Sequence, residues 1–163
     1  MEFTMAGEHG TTAGTPLGAL VLHRARPRGD AAALIEGLEV WRLELDGRPL
    51  AELPRFGPPG PLAQRVVRRT ASGTFEGAEL RVSGQGHLLR SRRRVEFRAG
   101  GRVLRFVRRG LEDAELWEDG APVARRGRGW RMAEPDRFRV CAVAVYDLAA
   151  LDHLVAHPVL RNL

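Results

Sequence analysis

The sequence predicts a mainly β fold: an antiparallel closed barrel of roughly 10–12 short strands around a buried hydrophobic C-terminal helix. Three features predict it. Short segments with period-two alternation recur along the chain, the pattern of half-buried strands. Gly-containing turns separate them about every eight to twelve residues. The last long segment, Asp136 to Ala156, is apolar nearly all the way round, and a helix of that kind must be covered on most sides.

In chain order, residues 1–17 carry neither a basic region nor an apolar run and read as a flexible tail. The domain is expected over 18–163. Gly18 to Arg24 is a first strand, and Asp30 to Glu36 a short helical turn in the loop that follows. Trp41, Leu43 and Leu45 alternate with Arg42 and Glu44, and Asp46-Gly47 then suits a type I′ hairpin, which needs positive φ at both central residues. Pro54 to Pro61 ("PRFGPPGP") is read as an ordered loop, because proline is excluded from element interiors. Val66-Val67, Leu80 with Val82, and Leu88-Leu89 are read as three further short strands. Val95 and Phe97, a turn at Ala99-Gly100-Gly101, and Leu104 with Phe106 form a second clear hairpin. A third surrounds Asp119-Gly120. It echoes the first, since "LELDGRPLA" and "LWEDGAPVA" share Leu, Asp-Gly, Pro and Ala in register.

The terminal segment begins at Glu134-Pro135-Asp136, with acids beside the positive end of the helix dipole, and Pro158 stops it. Its expected span is about 136–156; a strand at Arg137 to Cys141 is the alternative. Between Val140 and Ala156 only Asp147, Asp152 and His153 interrupt the apolar surface. Its strictly apolar run, Val140 to Tyr146, is far short of the roughly 20 residues a membrane span needs.

Composition narrows the classes. A hydrophobic fraction of 44% excludes a wholly disordered chain. The single cysteine, Cys141, excludes an internal disulfide framework and suits a reducing cytosol. The net charge is +6, and all 26 basic residues are arginine; Ile35 and Asn162 are the only residues of their types. That bias points to a high-GC bacterial genome, so the clustering of arginines is more informative than their total.

Serial "DG" hairpins closed by "CAVAVYDLAALDHLVA" resemble the tubby C-terminal-like superfamily, in particular its LURP-one-related and phospholipid-scramblase-like branches. The resemblance would cover about Gly18 to His157. It implies a closed barrel of about twelve strands around a C-terminal helix, and a binding fold whose members engage phosphoinositide headgroups or membrane surfaces. No headgroup-binding residue is carried over from it.

The densest chemical feature is Arg90 to Arg109, with nine arginines in twenty residues. Arg94 and Arg98 project opposite Val95 and Phe97, and Arg105 opposite Leu104 and Phe106, so a guanidinium ridge is expected on the outer face. Arg92, Arg108 and Arg109 flank it, Arg108 near the rim, and Arg125 and Arg126 extend it. Each planar fork of donors matches phosphate oxygens. The expected function is a non-enzymatic binding module for an anionic partner, a phosphorylated headgroup or acidic membrane surface. The alternative is an adaptor that binds another protein's acidic surface.

Other chemistry is weaker. Nucleic acid is disfavoured, since aromatics are 6% of residues and none stands free among the arginines for base stacking. A small catalytic site around Asp147 or His153 is the least favoured reading. His153 and His157 have metal-ligand spacing without the Glu of a zinc-protease helix, and the C-terminal end of the dipole explains them. Cys141 reads as a core residue and Asp147 as a structural bond to barrel backbone. No cofactor or metal is expected. The expected location is the cytoplasm, at the membrane periphery if the partner is lipid.

Overall fold

A computed structural model describes residues 3–6, 10–85, 93–108 and 113–155, with backbone alone for 3–6 and 10. Twelve strands form one antiparallel sheet in chain order: β1 (Phe3–Ala6), β2 (Gly10–Thr15), β3 (Gly18–Ala25), β4 (Glu39–Leu45), β5 (Arg48–Phe56), β6 (Ala71–Phe75), β7 (Ala78–Gln85), β8 (Arg94–Ala99), β9 (Arg102–Arg108), β10 (Ala114–Glu118), β11 (Ala121–Arg126) and β12 (Trp130–Met132). The helices are α1 (Ala31–Ile35), α2 (Pro61–Arg68), α3 (Arg137–Leu148) and α4 (Asp152–Val155).

Local chemistry explains the hairpins. Asp46-Gly47, Glu76-Gly77, Gly100-Gly101 and Asp119-Gly120 all have positive φ at both positions, as type I′ turns require. The hairpins β4–β5 and β10–β11 share more than sequence. In each the returning strand carries one extra residue: Leu43 pairs with Ala51 and Glu44 with Pro49, while Leu116 pairs with Ala124 and Trp117 with Pro122. Leu50 and Val123 are the equivalent bulged residues.

The expected closure does not occur. Ladders join each strand to its sequence neighbour, and among the described residues none joins β12 to β1, so the sheet is an open meander rather than a closed barrel. The reason lies in β12, which has only three residues before the chain turns into α3. Residues 1–17, expected as a tail, supply β1 and β2 instead. The β2–β3 ladder pairs six residues on each side, Gly10↔His23 to Thr15↔Gly18.

The terminal helix fulfils its expectation of burial. Every residue from Val140 to Tyr146 has no exposed surface, and seven consecutive residues sample all faces of a helix. Its partners come from across the sheet: Phe75 of β6 meets Phe138, Phe106 of β9 stacks on Tyr146 at 4.0 Å, and Trp130 of β12 meets the edge of Tyr146. The helix starts one residue later than expected, capped by Asp136, whose carboxylate accepts the Arg139 N–H. A strand over Arg137 to Cys141 is not formed. The span is interrupted at Ala149–Leu151, where Ala150 has φ 54°, before α4.

A second correction concerns the Pro-rich stretch and Val66-Val67. Pro54 lies inside β5, at a bulge where three steps of β5 match two of β4 and no ladder N–H is needed. Pro61 opens α2, its missing N–H costing nothing at a first helical turn. Val66 and Val67 therefore belong to a helix, which buries Ala63 and Val67. Leu88-Leu89 lies outside the described residues.

Candidate functional site

Cross-strand register builds the outer wall of the sheet. Glu96 of β8 stands opposite Ser83 of β7 and Arg105 of β9, and Arg105 stands opposite Trp117 of β10. Arg98 lies opposite Arg81, one step along. The arginines Arg94, Arg98 and Arg105 do share this face, but they do not form a free ridge. All three converge on the carboxylate of Glu96, at 3.3, 2.8 and 3.0 Å.

Glu96 is only 5% exposed at its side chain, while the three arginines are about half exposed. Burial would raise its pKa, yet hydrogen bonds from Arg98 and Arg105 and the charge of Arg94 hold it below the usual carboxylate range. One carboxylate offers about four lone-pair sites, and three guanidiniums carry about fifteen N–H donors. Most donors of the trio therefore point to solvent from side chains that are already oriented.

The other predicted positions separate. Arg125 pairs with Glu115 at 3.0 Å on the same wall, in the row that continues to the exposed Arg131. Arg125, Arg126 and Arg131 line a shallow groove of about 530 Å³ with Pro122, Val123 and Ala124. Arg126 turns to the helix end instead, 3.7 Å from both Asp147 and Asp152. Arg108 is half-buried at the end of β9, the rim position expected for it. Arg92 and Arg109 lie outside the described residues.

Asp147 does not bond to strand backbone. Its carboxylate accepts the Trp130 indole N–H at 2.8 Å, and burial raises its pKa despite Arg126. Cys141 is fully buried, and loss of hydration pushes its thiol up to about 12. His153 is exposed on α4, and His157 lies outside the described residues. Among the described residues no cluster of three His, Cys, Asp or Glu could hold a metal ion, and no helix is long and apolar enough to cross a membrane.

Two charged groups were not foreseen. Arg102 and Arg139 clamp Glu118 and Asp136 at the start of α3: Arg102 donates to Glu118 at 2.6 and 3.1 Å and to Asp136 at 2.8 and 3.2 Å, and Arg139 donates to Glu118 at 2.7 and 2.9 Å. Arg137 adds a contact to Glu76 at 2.6 Å. Arg65, Arg68 and Arg69 stand exposed at the end of α2. The spacing of Ala63, Val66 and Val67 after Pro61 was the sequence signal for that helix. Comparison with family models, curated proteins and solved structures finds no match to this chain.

Proposed function

We propose that the protein is a non-enzymatic binding module that takes an anionic group, most simply a phosphorylated headgroup, on the outer wall of β8 and β9. The observation that supports this reading is the convergence of Arg94, Arg98 and Arg105 on the buried Glu96. Such a carboxylate fixes three rotamer-rich side chains in advance, so a ligand meets donors whose ordering cost is already met by the fold. Local charge stays positive by two after Glu96 is counted; Arg81 and Arg125 stand in neighbouring rows, each paired with its own carboxylate, Glu79 at 2.7 Å and Glu115 at 3.0 Å. The planar fork of a guanidinium suits the geometry of phosphate oxygens.

Binding of inorganic pyrophosphate, and of vesicles carrying a phosphorylated inositol lipid, tests the reading by titration calorimetry and flotation at two salt concentrations. A charge-assisted hydrogen bond contributes about 1.5–3 kcal/mol, so each of Arg94→Gln, Arg98→Gln and Arg105→Gln should weaken binding about tenfold or more. Affinity indifferent to salt, or unchanged in the triple variant, would remove the anion site. Retention of an acidic protein partner with no affinity for either probe would favour the adaptor reading instead.

A further inference from the structure

The two ends of the sheet are built differently. The two-residue turns, Pro16-Leu17, Asp46-Gly47, Glu76-Gly77, Gly100-Gly101 and Asp119-Gly120, all lie at the end where α3 begins. At the opposite end two long connections, β3 to β4 and β5 to β6, carry α1 and α2, while residues 127–129 join β11 to β12. We propose that this second end docks on an acidic membrane surface, with Leu34 and Ile35 of α1 entering the headgroup region and the arginines around them meeting lipid phosphates.

Leu34 and Ile35 are the only large apolar side chains exposed among the described residues, at 48% and 87%. Their exposure is imposed by a well-held turn of helix. Asp30 caps α1 by accepting the Ala33 N–H at 3.0 Å and pairs with Arg55 at 3.2 Å. Ala33 is buried, and its carbonyl accepts the Leu38 N–H at 2.8 Å. With Ala33 and Leu38 turned inward, Leu34 and Ile35 can only point out.

Arg55 is engaged by Asp30 at this end, but five other arginines meet no carboxylate among the described residues. Arg26 and Arg28 stand exposed on the approach to α1. Gly37, just past α1, packs beside Leu62 at the start of α2, where an added Cβ would lie 3.6 Å from the leucine Cδ2. Arg65 and Arg69 follow Leu62 at i+3 and i+7, on the same face of that helix, with Arg68 beside them. None of these five arginines makes an ion pair within the described protein. The acids that flank α1 are its N-cap Asp30, already engaged by Arg55, and its C-cap Glu36.

Charge and size select the occupant. Two apolar side chains cover far less than the roughly 1,000 Å² that a specific protein interface buries. A second copy of the chain would press unpaired arginines against unpaired arginines. An acidic bilayer offers both an apolar layer a few ångströms deep and a sheet of phosphates above it. This contact uses none of Arg94, Arg98 and Arg105, so it stands or falls apart from the anion site on the wall.

The test is co-sedimentation of the full chain with vesicles of phosphatidylcholine alone or with about one-third phosphatidylserine. Acidic vesicles should bind and neutral ones should not. Ile35→Ser should weaken binding about tenfold, and each of Arg65→Gln, Arg68→Gln and Arg69→Gln about fivefold. Ile35→Cys carrying a polarity-sensitive dye should shift to the blue on acidic vesicles; the buried Cys141 leaves position 35 as the labelled site. Equal affinity for neutral vesicles, unchanged binding by Ile35→Ser, or a dye that reports water throughout would overturn the proposal. So would self-association abolished by Ile35→Ser, which would make this end an interface between copies. Binding lost only in the Arg94/Arg98/Arg105 triple variant would move the membrane contact to the β8–β9 wall.

Discussion

Replacing Glu118 by Gln tests what holds the terminal helix in register with the sheet. Glu118 is 8% exposed at its side chain and receives two contacts from each of Arg102 and Arg139. Hydrogen bonding from Arg102, working against burial and helped by Arg139, holds its carboxyl below the usual range. Gln keeps the volume but removes the charge and turns an NH₂ toward guanidinium N–H groups. Breaking a buried pair in this way costs about 3–5 kcal/mol. Arg102 is 39% exposed and Asp136 still serves both arginines, so screening brings the cost below that range, to about 2–3 kcal/mol. For a chain of 163 residues that is a fall in Tm of about 5–10 °C. The pH dependence has a fixed sign. A carboxyl whose folded pKa is lowered contributes stability that is complete above the unfolded value of about 4 and vanishes as pH falls through the folded one. Urea unfolding should therefore separate Glu118→Gln from wild type fully at pH 7 and progressively less below about pH 4. A loss under about 1 kcal/mol at pH 7, or a gap that does not narrow in acid, would show that the cluster does not anchor the helix.

Other outcomes follow from single contacts. Gly73→Ala should fail to fold or lose more than about 3 kcal/mol in chemical unfolding, because a Cβ there would run into the Glu52 carbonyl oxygen, which is backbone and cannot swing away. Asp147→Asn keeps an acceptor for the Trp130 indole and should raise stability by up to about 1 kcal/mol at pH 7. Since the folded pKa of Asp147 is raised, that gain should grow as pH rises from about 4 and be absent in acid; a loss at pH 7 would mean Arg126 outweighs burial. Cys141 should react with a thiol reagent only as fast as the protein opens, with labelling accelerated by urea; prompt labelling of the native chain would contradict its burial.

Much of the site was legible only in part. Arg94, Arg98 and Arg105 were placed on one face correctly, because strand alternation needs no tertiary information. Glu96 lies two residues from both Arg94 and Arg98, so the same alternation already put it among them. Its depth and its bond to Arg105 depend on the β8–β9 register, which a turn of two glycines sets only once both strands pair. Arg126 was grouped with the wall, but it reaches Asp147 and Asp152 because the helix end comes up beside β11.

By itself the sequence determined the elements governed by short-range physics. Asp-Gly and Gly-Gly pairs set the hairpins, period-two alternation assigned the inner face, and a helix without a polar half had to be buried. The tertiary structure decided whatever depended on distant strands meeting. β12 stops after three residues, so the meander stays open. β2 is a strand because β3 offers it an edge. Pro61 to Arg68 coils because Ala63 and Val67 find an apolar floor there. Gly37, just past α1, comes to lie beside Leu62 of α2 through the same packing. Local preference fixes which way a side chain leaves the backbone, while its neighbours are fixed by the packing of segments far apart in the chain.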